Sequence, residues 1–400
     1  MLEWKLIRLG DICKTNENSY YPKDNWKFVN YLDTGSLTEN KITELQYINT
    51  KTDKMPSRAR RKVIKNSILY STVRPNQLHY GIIKEPVDNL LVSTGFTVID
   101  VDTNKAIPEF IYYLLIQNNT TEQLQAIAEQ SVSTYPSIKP SDIENLEFKL
   151  PNLIIQSKIV SILDTVDSKI CQNEKINNNL LEQASTLFNS AIQQSTSVVY
   201  AELGSLAEVK GGKRLPKGVN LVTTPNQHPY IRVRDLNNAV FASLSNDYEY
   251  VDDETQQSIS RYIVSTGDLL ISIVGTIGLT AIVDHTLNKA NLTENCVKLT
   301  NLKNVTPEYL LLFLRSSQGV EAISKGTVGA VQLKLPIKNI QSIAVPLLCD
   351  EDLLPLHETL SAIFSQISAN IVEMKQLADI RDTLLPKLMS GELDVSDIDL

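Results

Sequence analysis

The chain repeats itself, and this constrains its fold more than any other feature. "RLGDICK" near the start, with Leu9-Gly10, is answered by "ELGSLAEVK", with Leu203-Gly204. "NSILYSTVRPNQLHYGII" from Asn66 is answered by "GDLLISIVGTIGLTAIV" from Gly267, and "IPEFIYYLL" from Ile107 by "TPEYLLLFL" from Thr306. "PSIKPSDIENLEFKLP", ending at Pro151, is answered by "LPIKNIQSIAVP", ending at Pro346. The order is kept and the offset stays between 194 and 201 residues. A period this long indicates duplicated domains rather than a solenoid.

Each repeat has the same internal order. Short runs rich in Val, Ile, Thr and Tyr, punctuated by Gly, Pro and Asn, predict strands. A helix start follows, with Pro108 or Pro307 in its first turn and an acid beside it. A short strand-and-turn stretch then ends at Pro151 or Pro346. A long helix closes each unit. The first is predicted from about Ile154 to about Ile192, with Ile159, Ile162, Val166, Ile170, Leu180, Ala184, Leu187 and Ala191 at heptad spacing. The second starts near Pro355 and carries Leu360, Ile363, Ile367, Met374, Leu377, Leu384 and Leu388. The first seam has a polar waist, where Asn173 and Asn177 fall at seam positions. Either they are buried and fix the register, or a stutter turns them to solvent.

A helix of about 38 residues at ~1.5 Å each is a rod of roughly 57 Å. One such amphipathic helix cannot bury its seam alone, but two can bury each other. The expected fold is therefore α+β (mixed α/β): two tandem globular units, each followed by a long helix. The helices pair as an antiparallel coiled coil in a pseudo-twofold molecule. The expected boundaries are 1–152, helix 153–196, 197–347, helix 348–390 and an acidic tail 391–400.

The net charge of −8 argues against a partner that is a polyanion until it is divided. Residues 1–150 are net 0, 151–198 net −1, 199–346 net +1 and 347–400 net −8. Two clusters run the other way. Lys51 to Arg74 carries eight Lys/Arg against Asp53 alone, and Lys210 to Arg234 carries six and no acid. A polyanion meets the local field, not the total. The acidic helix and tail are expected to face away from it or to meet protein.

Enzyme signatures are missing. Lys213 is followed by Arg214 and no glycine stands five residues before Gly212, so "KGGKRLPKG" is not a nucleotide-binding P-loop. There is no GxGxxG between strand and helix, no HExxH and no amino-methyltransferase tetrapeptide. The four cysteines and four histidines are scattered, which argues against a zinc site or a disulfide framework and fits a reducing cytoplasm. No signal-peptide core or membrane-length apolar run is present.

The basic clusters remain. Lys210, Lys213, Arg214 and Lys217 surround Gly211, Gly212 and Gly218, a composition suited to phosphate oxygens through side chains and closely approaching backbone N–H groups. In "PYIRVRDL", a strand would put Arg232 and Arg234 on one face, able to grip phosphates or to read guanine; alternatively they pair with acids such as Asp235. "GDLLISIVGTIG" reads as a buried strand and a turn, with Thr276 either a DNA contact or part of a plain tight turn. The first unit offers Arg58, Arg60, Arg61, Lys62 and Lys65, then Arg74, Asn76, Gln77 and Tyr80. Asn and Gln can pair bidentately with adenine. A solvated loop is the alternative for each, and His79 is read as a loop or core histidine.

The duplicated plan, with "KGGKRLPKG", "PYIRVRDL", "GDLLISIVGTIG", "NLTENCVKL" and the ending "LLPKLMSGELDV", resembles the specificity subunit of type I restriction–modification systems over essentially the whole chain. The resemblance implies two target-recognition domains, each reading half of a split, asymmetric site on double-stranded DNA. It implies that the helices set the unread spacer. It also implies that the chain is no catalyst and has no cofactor of its own. Two modification subunits would bind S-adenosylmethionine and methylate adenine, and restriction subunits using ATP and Mg2+ would join them in the cytoplasm. The family's Glu-Gln-bearing helix start is half kept, in Gln156, and the second helix lacks the glutamine. Two rivals stand beside this reading. A self-contained nuclease or methyltransferase would be active alone with DNA, magnesium and S-adenosylmethionine. A protein-only adaptor would not retard DNA in a gel.

Overall fold

The computed structural model describes residues 4–131, 135–237 and 239–398. They divide into two compact units. The first comprises the described residues up to Cys171 together with those from Lys375 onward, and the second runs from Gln172 to Met374.

In the first unit an antiparallel sheet has the strand order Cys13–Thr15, Phe96–Val101, Ser67–Ser71, Tyr80–Ile83. A second four-stranded sheet contains Gln46–Asn49, Phe28–Leu32, Leu90–Ser93 and Ala59–Lys62. Lys5–Arg8 pairs with Glu147–Leu150. The helices are α1 (Pro108–Leu115), α2 (Asn118–Glu129), α3 (Pro140–Glu144), the first part of α4 (Leu153–Gln194) and the last part of α11 (Asp350–Ser390).

The second unit repeats the first sheet. Glu208–Gly211, Cys296–Thr300, Leu269–Ser272 and Thr280–Val283 stand in the same order, and Phe241–Ala242 is added in parallel at the edge. Val199–Glu202 pairs with Ala344–Leu347 as Lys5–Arg8 does with its partner. The helices are α5 (Leu203–Leu206), α6 (Val233–Leu236), α7 (Asp253–Ile259), α8 (Pro307–Arg315), α9 (Ser317–Gly326), α10 (Ile337–Gln341) and the first part of α11 (Asp350–Ser390).

The repeated Leu-Gly pair now has a cause. Leu9 and Leu203 are fully buried, and their N–H groups bond the carbonyls of Leu146 and Ile343. A methyl on Gly10 would sit 3.3 Å from the Glu144 carbonyl oxygen, and one on Gly204 3.3 Å from that of Gln341. In both repeats an added methyl would crowd the short helix that crosses there.

The long helices build the globular cores as well as pairing with each other. Ile159 and Leu163 of α4, with Leu385 and Leu388 of α11, pack into the cluster that holds Leu9, Phe110 and Ile111. In the second unit Ala184 and Phe188 of α4, with Leu360 and Phe364 of α11, pack with Leu203, Tyr309 and Phe313. The pairing is antiparallel in each unit. Lys158 Nζ donates to the Ser396 carbonyl (2.6 Å) while Asp167 pairs with Arg381 (3.0 Å). Asn173 Nδ2 donates to Glu373 (2.7 Å), and Asn177 Oδ1 accepts from Asn370 (2.7 Å).

Several expected details differ. The seam uses Leu163 and Phe188, whereas Leu187 is exposed, because the globular core and not only the opposite helix sets the buried face. The second helix starts at Asp350, with Pro355 in its second turn, close enough to the start to remove only one backbone donor. Asn173 is 1% exposed and bonded and Asn177 is half-buried and bonded, so the seam asparagines face the opposite helix while the rest of the polar waist of α4 is largely exposed. Gln156 accepts from the Ile107 N–H (2.8 Å) and donates to the Pro151 carbonyl (2.9 Å), which holds the start of α1 on α4. In the second unit Thr306 caps α8 with its own hydroxyl, 3.3 Å from the Tyr309 N–H, a donor other than the one Gln156 satisfies in the first unit.

Candidate nucleic-acid interface

The loop Lys210–Gly218 leaves the edge of the five-stranded sheet. The Gly212 N–H donates to the Cys296 carbonyl (3.0 Å) and the Lys213 N–H to that of Leu292 (2.8 Å). These donors are therefore spent on the fold, and the expected backbone cradle for phosphate is corrected. Gly212 is required by close approach. What the loop presents is side chains. Lys213, Arg214 and Lys217 are exposed; Lys213 lies over the Tyr262 ring (5.5 Å) and Arg214 reaches Glu294 (2.6 Å). Lys210 pairs with Glu208 on the same face of its strand.

"PYIRVRDL" is not one strand. Only Tyr230–Ile231 forms a strand, after which the chain turns into α6. Asp235 closes the turn by accepting the Arg232 N–H (2.8 Å) and binding its guanidinium (3.0 Å). Arg232 also pairs with Glu249 and is largely buried, so it is structural. Arg234 reaches the same two acids only at 3.7 and 3.6 Å and keeps 63% of its side chain exposed. Of the two arginines expected on one face, one remains available to a ligand.

Thr276 is exposed at the tip of a turn between Gly275 (φ 80°) and Gly278 (φ 90°). Its carbonyl accepts from Ser272 Oγ (2.6 Å).

In the first unit Arg58 and Arg60 are exposed. Arg60 lies at a cleft of about 440 Å³ floored by Tyr20 and Trp26 and rimmed by Lys27 and Lys51. Arg61 points to the other face of the strand. Burial pushes its guanidinium below the ordinary value, and its Nε has no partner among the described residues. Lys62 pairs with Asp24 (3.0 Å) and lies over Trp26 (5.3 Å), which is a structural role. Lys65 is exposed.

Arg74, Asn76 and Gln77 are exposed together on the short turn Pro75–Gln77. Arg74 takes a left-handed backbone (φ 48°) where the second repeat has Gly275, and its guanidinium lies over Tyr135 (5.1 Å). A non-glycine residue held there is strained, and such strain concentrates at functional positions. The Asn76 N–H is tied to Gln125 (3.2 Å), which leaves its side chain to the surface. Tyr80 corrects the expectation. It is 7% exposed, stacked on Tyr70 (5.8 Å) and edge-on to Tyr112 (6.4 Å), and belongs to the core. His79 bonds the Leu37 carbonyl (2.7 Å) and Thr38 (3.0 Å), as a structural histidine does.

Among the described residues no group of three or more His, Cys, Asp or Glu could hold a metal ion, and no helix is long and apolar enough to cross a membrane. The family model of the type I restriction modification DNA specificity domain matches the chain twice, over residues 1–183 and 197–375. The chain belongs to this specificity family. Among its relatives are the specificity subunit of the type I restriction enzyme HindI from Haemophilus influenzae, 26% identical over 98% of this chain and 100% of that one. Another is the MjaIX specificity subunit from Methanocaldococcus jannaschii, 22% identical over 98% and 94%. The crystal structure of a type I restriction-modification system S subunit from M. genitalium has the same fold, with a TM-score of 0.55, 17% identity and coverage of 97% and 96%.

As a specificity-family chain, the molecule has two units on one plan with different surface chemistry. The first unit's cleft, with Tyr20, Trp26 and Lys27, was not legible in the sequence. Trp26 and Lys27 stand in an unremarkable run, and only strand pairing brings them to Arg60. The acidic tail lies against the first unit, where Val395 is 2% exposed and Lys158 holds the Ser396 carbonyl.

Proposed function

We propose that each unit reads one half of a split, asymmetric site on double-stranded DNA, and that α4 and α11 set the length of the unread spacer. The chain itself does no chemistry. It holds two modification subunits, which use S-adenosylmethionine to methylate adenine, and restriction subunits using ATP and Mg2+ join the complex in the cytoplasm.

The observation that carries this reading is the conserved frame with divergent loops. Both units keep one sheet order and the same Leu-Gly crossing, yet they expose different side chains. The first offers Arg74, Asn76, Gln77, Arg58 and Arg60, and the second Lys213, Arg214, Lys217, Arg234 and Thr276. A chain that read one sequence twice would not need two chemistries. Lys and Arg on phosphates fix position, and Asn, Gln and Arg on base edges specify sequence.

The test uses the full chain assembled with its modification subunits. Replacing Lys213 and Arg214 by Glu should lower DNA affinity for all sequences and reduce the salt slope by about two units. Unchanged affinity and slope would remove the loop from the interface. Mapping methylated adenines in a genome carrying the gene should return a two-part motif.

A further inference from the structure

A short hairpin in the second unit has no role in the fold described so far. Val328 and Lys334 exchange backbone hydrogen bonds (2.8 and 2.9 Å), and Gly329 (φ 117°) allows the tight reversal. Its tip is apolar and in solvent: Val331 is 101% exposed and Leu333 55%. Its base is bridged to the Gly275–Gly278 turn through Val274 and Lys334, and the Leu335 N–H bonds the Ile273 carbonyl (3.0 Å). The hairpin and Thr276 thus form one projecting unit. The exposed cations Lys334 and Lys338 stand at its foot.

The first unit has the same seam. Val73 is bridged to Ser137, and the Ile138 N–H bonds the Thr72 carbonyl (2.8 Å). At that seam it presents Arg74 over the Tyr135 ring, with Tyr135 half exposed. The same backbone junction therefore carries a cation and an aromatic ring in one unit and an aliphatic tip in the other.

We propose that this junction is the base-reading tip of each unit, and that in the second unit Val331 and Leu333 enter a DNA groove. This rests on the DNA-reading function proposed above. An aliphatic side chain discriminates bases by contact with the thymine methyl group or by wedging at a base step. Lys334 beside it meets a phosphate and sets the depth of entry. A fully exposed valine contributes nothing to the core, so its replacement leaves the fold intact.

The experiment compares wild-type chain with Val331→Ser, Leu333→Ser and Lys334→Gln, each assembled with its modification subunits. Methylated-adenine mapping and competition binding with single-base variants of the mapped site supply the readout. Val331→Ser and Leu333→Ser should cut discrimination at positions of one half-site about tenfold and leave the other half-site unchanged. Lys334→Gln should weaken all sequences evenly and lower the salt slope by about one unit. Unaltered discrimination in both serine variants would overturn the proposal, as would an equal loss at both half-sites. If wild-type complex shows no sequence preference at all, the proposed function itself fails, a result distinct from failure of the hairpin.

Discussion

A methyl group on Gly212 would lie 2.0 Å from the Thr293 carbonyl oxygen and 2.4 Å from that of Leu292. Both are backbone atoms that cannot swing aside, so Gly212→Ala should destabilise the second unit by about 1–3 kcal/mol, read as a lower midpoint in chemical denaturation. The glycine was legible as a position of close approach, but what it approaches was not. Leu292 and Thr293 are remote in sequence and meet it only when the Cys296–Thr300 strand pairs with Glu208–Gly211. The same limit applies to Arg232. A period of two placed it beside Arg234 on a strand face, but Asp235 hydrogen-bonds back to the Arg232 N–H and turns the chain into α6. Tyr80 stands beside Asn76 and Gln77 in the sequence, and nothing local marks it as buried. The strand Tyr80–Ile83 carries it inward against Tyr112.

The long helices were the most legible elements, because heptad spacing over many turns survives local exceptions. The polar waist of α4 is a bonded cluster. Asn370 donates to Asn177 (2.7 Å) and accepts from Gln366 (2.8 Å), while Asn173 donates to Glu373 (2.7 Å). Asn173 and Asn370 are buried, and sliding either helix by one turn would leave them without these partners, so the cluster sets the register at the expense of apolar packing. Asn370→Ala should cost about 1–3 kcal/mol, measured by urea unfolding, because it strands the Asn177 carbonyl oxygen. On α11, His357 packs edge-on against the Tyr309 ring (5.4 Å), and its Nε2 has no partner among the described residues. Burial holds its pKa below the ordinary 6.5, with Glu308 opposing the shift. The unfolded chain therefore takes up the proton more readily, and stability falls as pH drops below about 6.5. His357→Gln should flatten that slope in denaturation series between about pH 7.5 and 5.5, with no change in the slope counting against the assignment.

At the scale of the whole molecule, the function proposed for α4 and α11 depends on both helices. A heptad added to α4 alone would break the asparagine register, so the informative variant adds one heptad to each helix, after Cys171 and after Met374, where both pass from one unit to the other. Seven residues at ~1.5 Å add about 10 Å, or about three base pairs of spacer. Methylation mapping should return both half-sites unchanged and a longer gap between them, and an unchanged gap would remove the spacer role from the helices. The duplication, the sheet-bearing units and the helices were legible because each is a pattern within a continuous stretch. The division into units was not, because the first unit is completed by residues from Lys375 onward, beyond the whole of the second unit. This has a consequence for biosynthesis. The second unit, residues 172–374, is one unbroken stretch that can fold as soon as it leaves the ribosome. The first unit, although begun earlier, lacks Leu385, Leu388, Met389 and Val395 of its core until the second unit has been made. A chain ending at Met374 should therefore yield a protease-resistant second unit and a labile first one, so that the half begun first is completed after the half begun second.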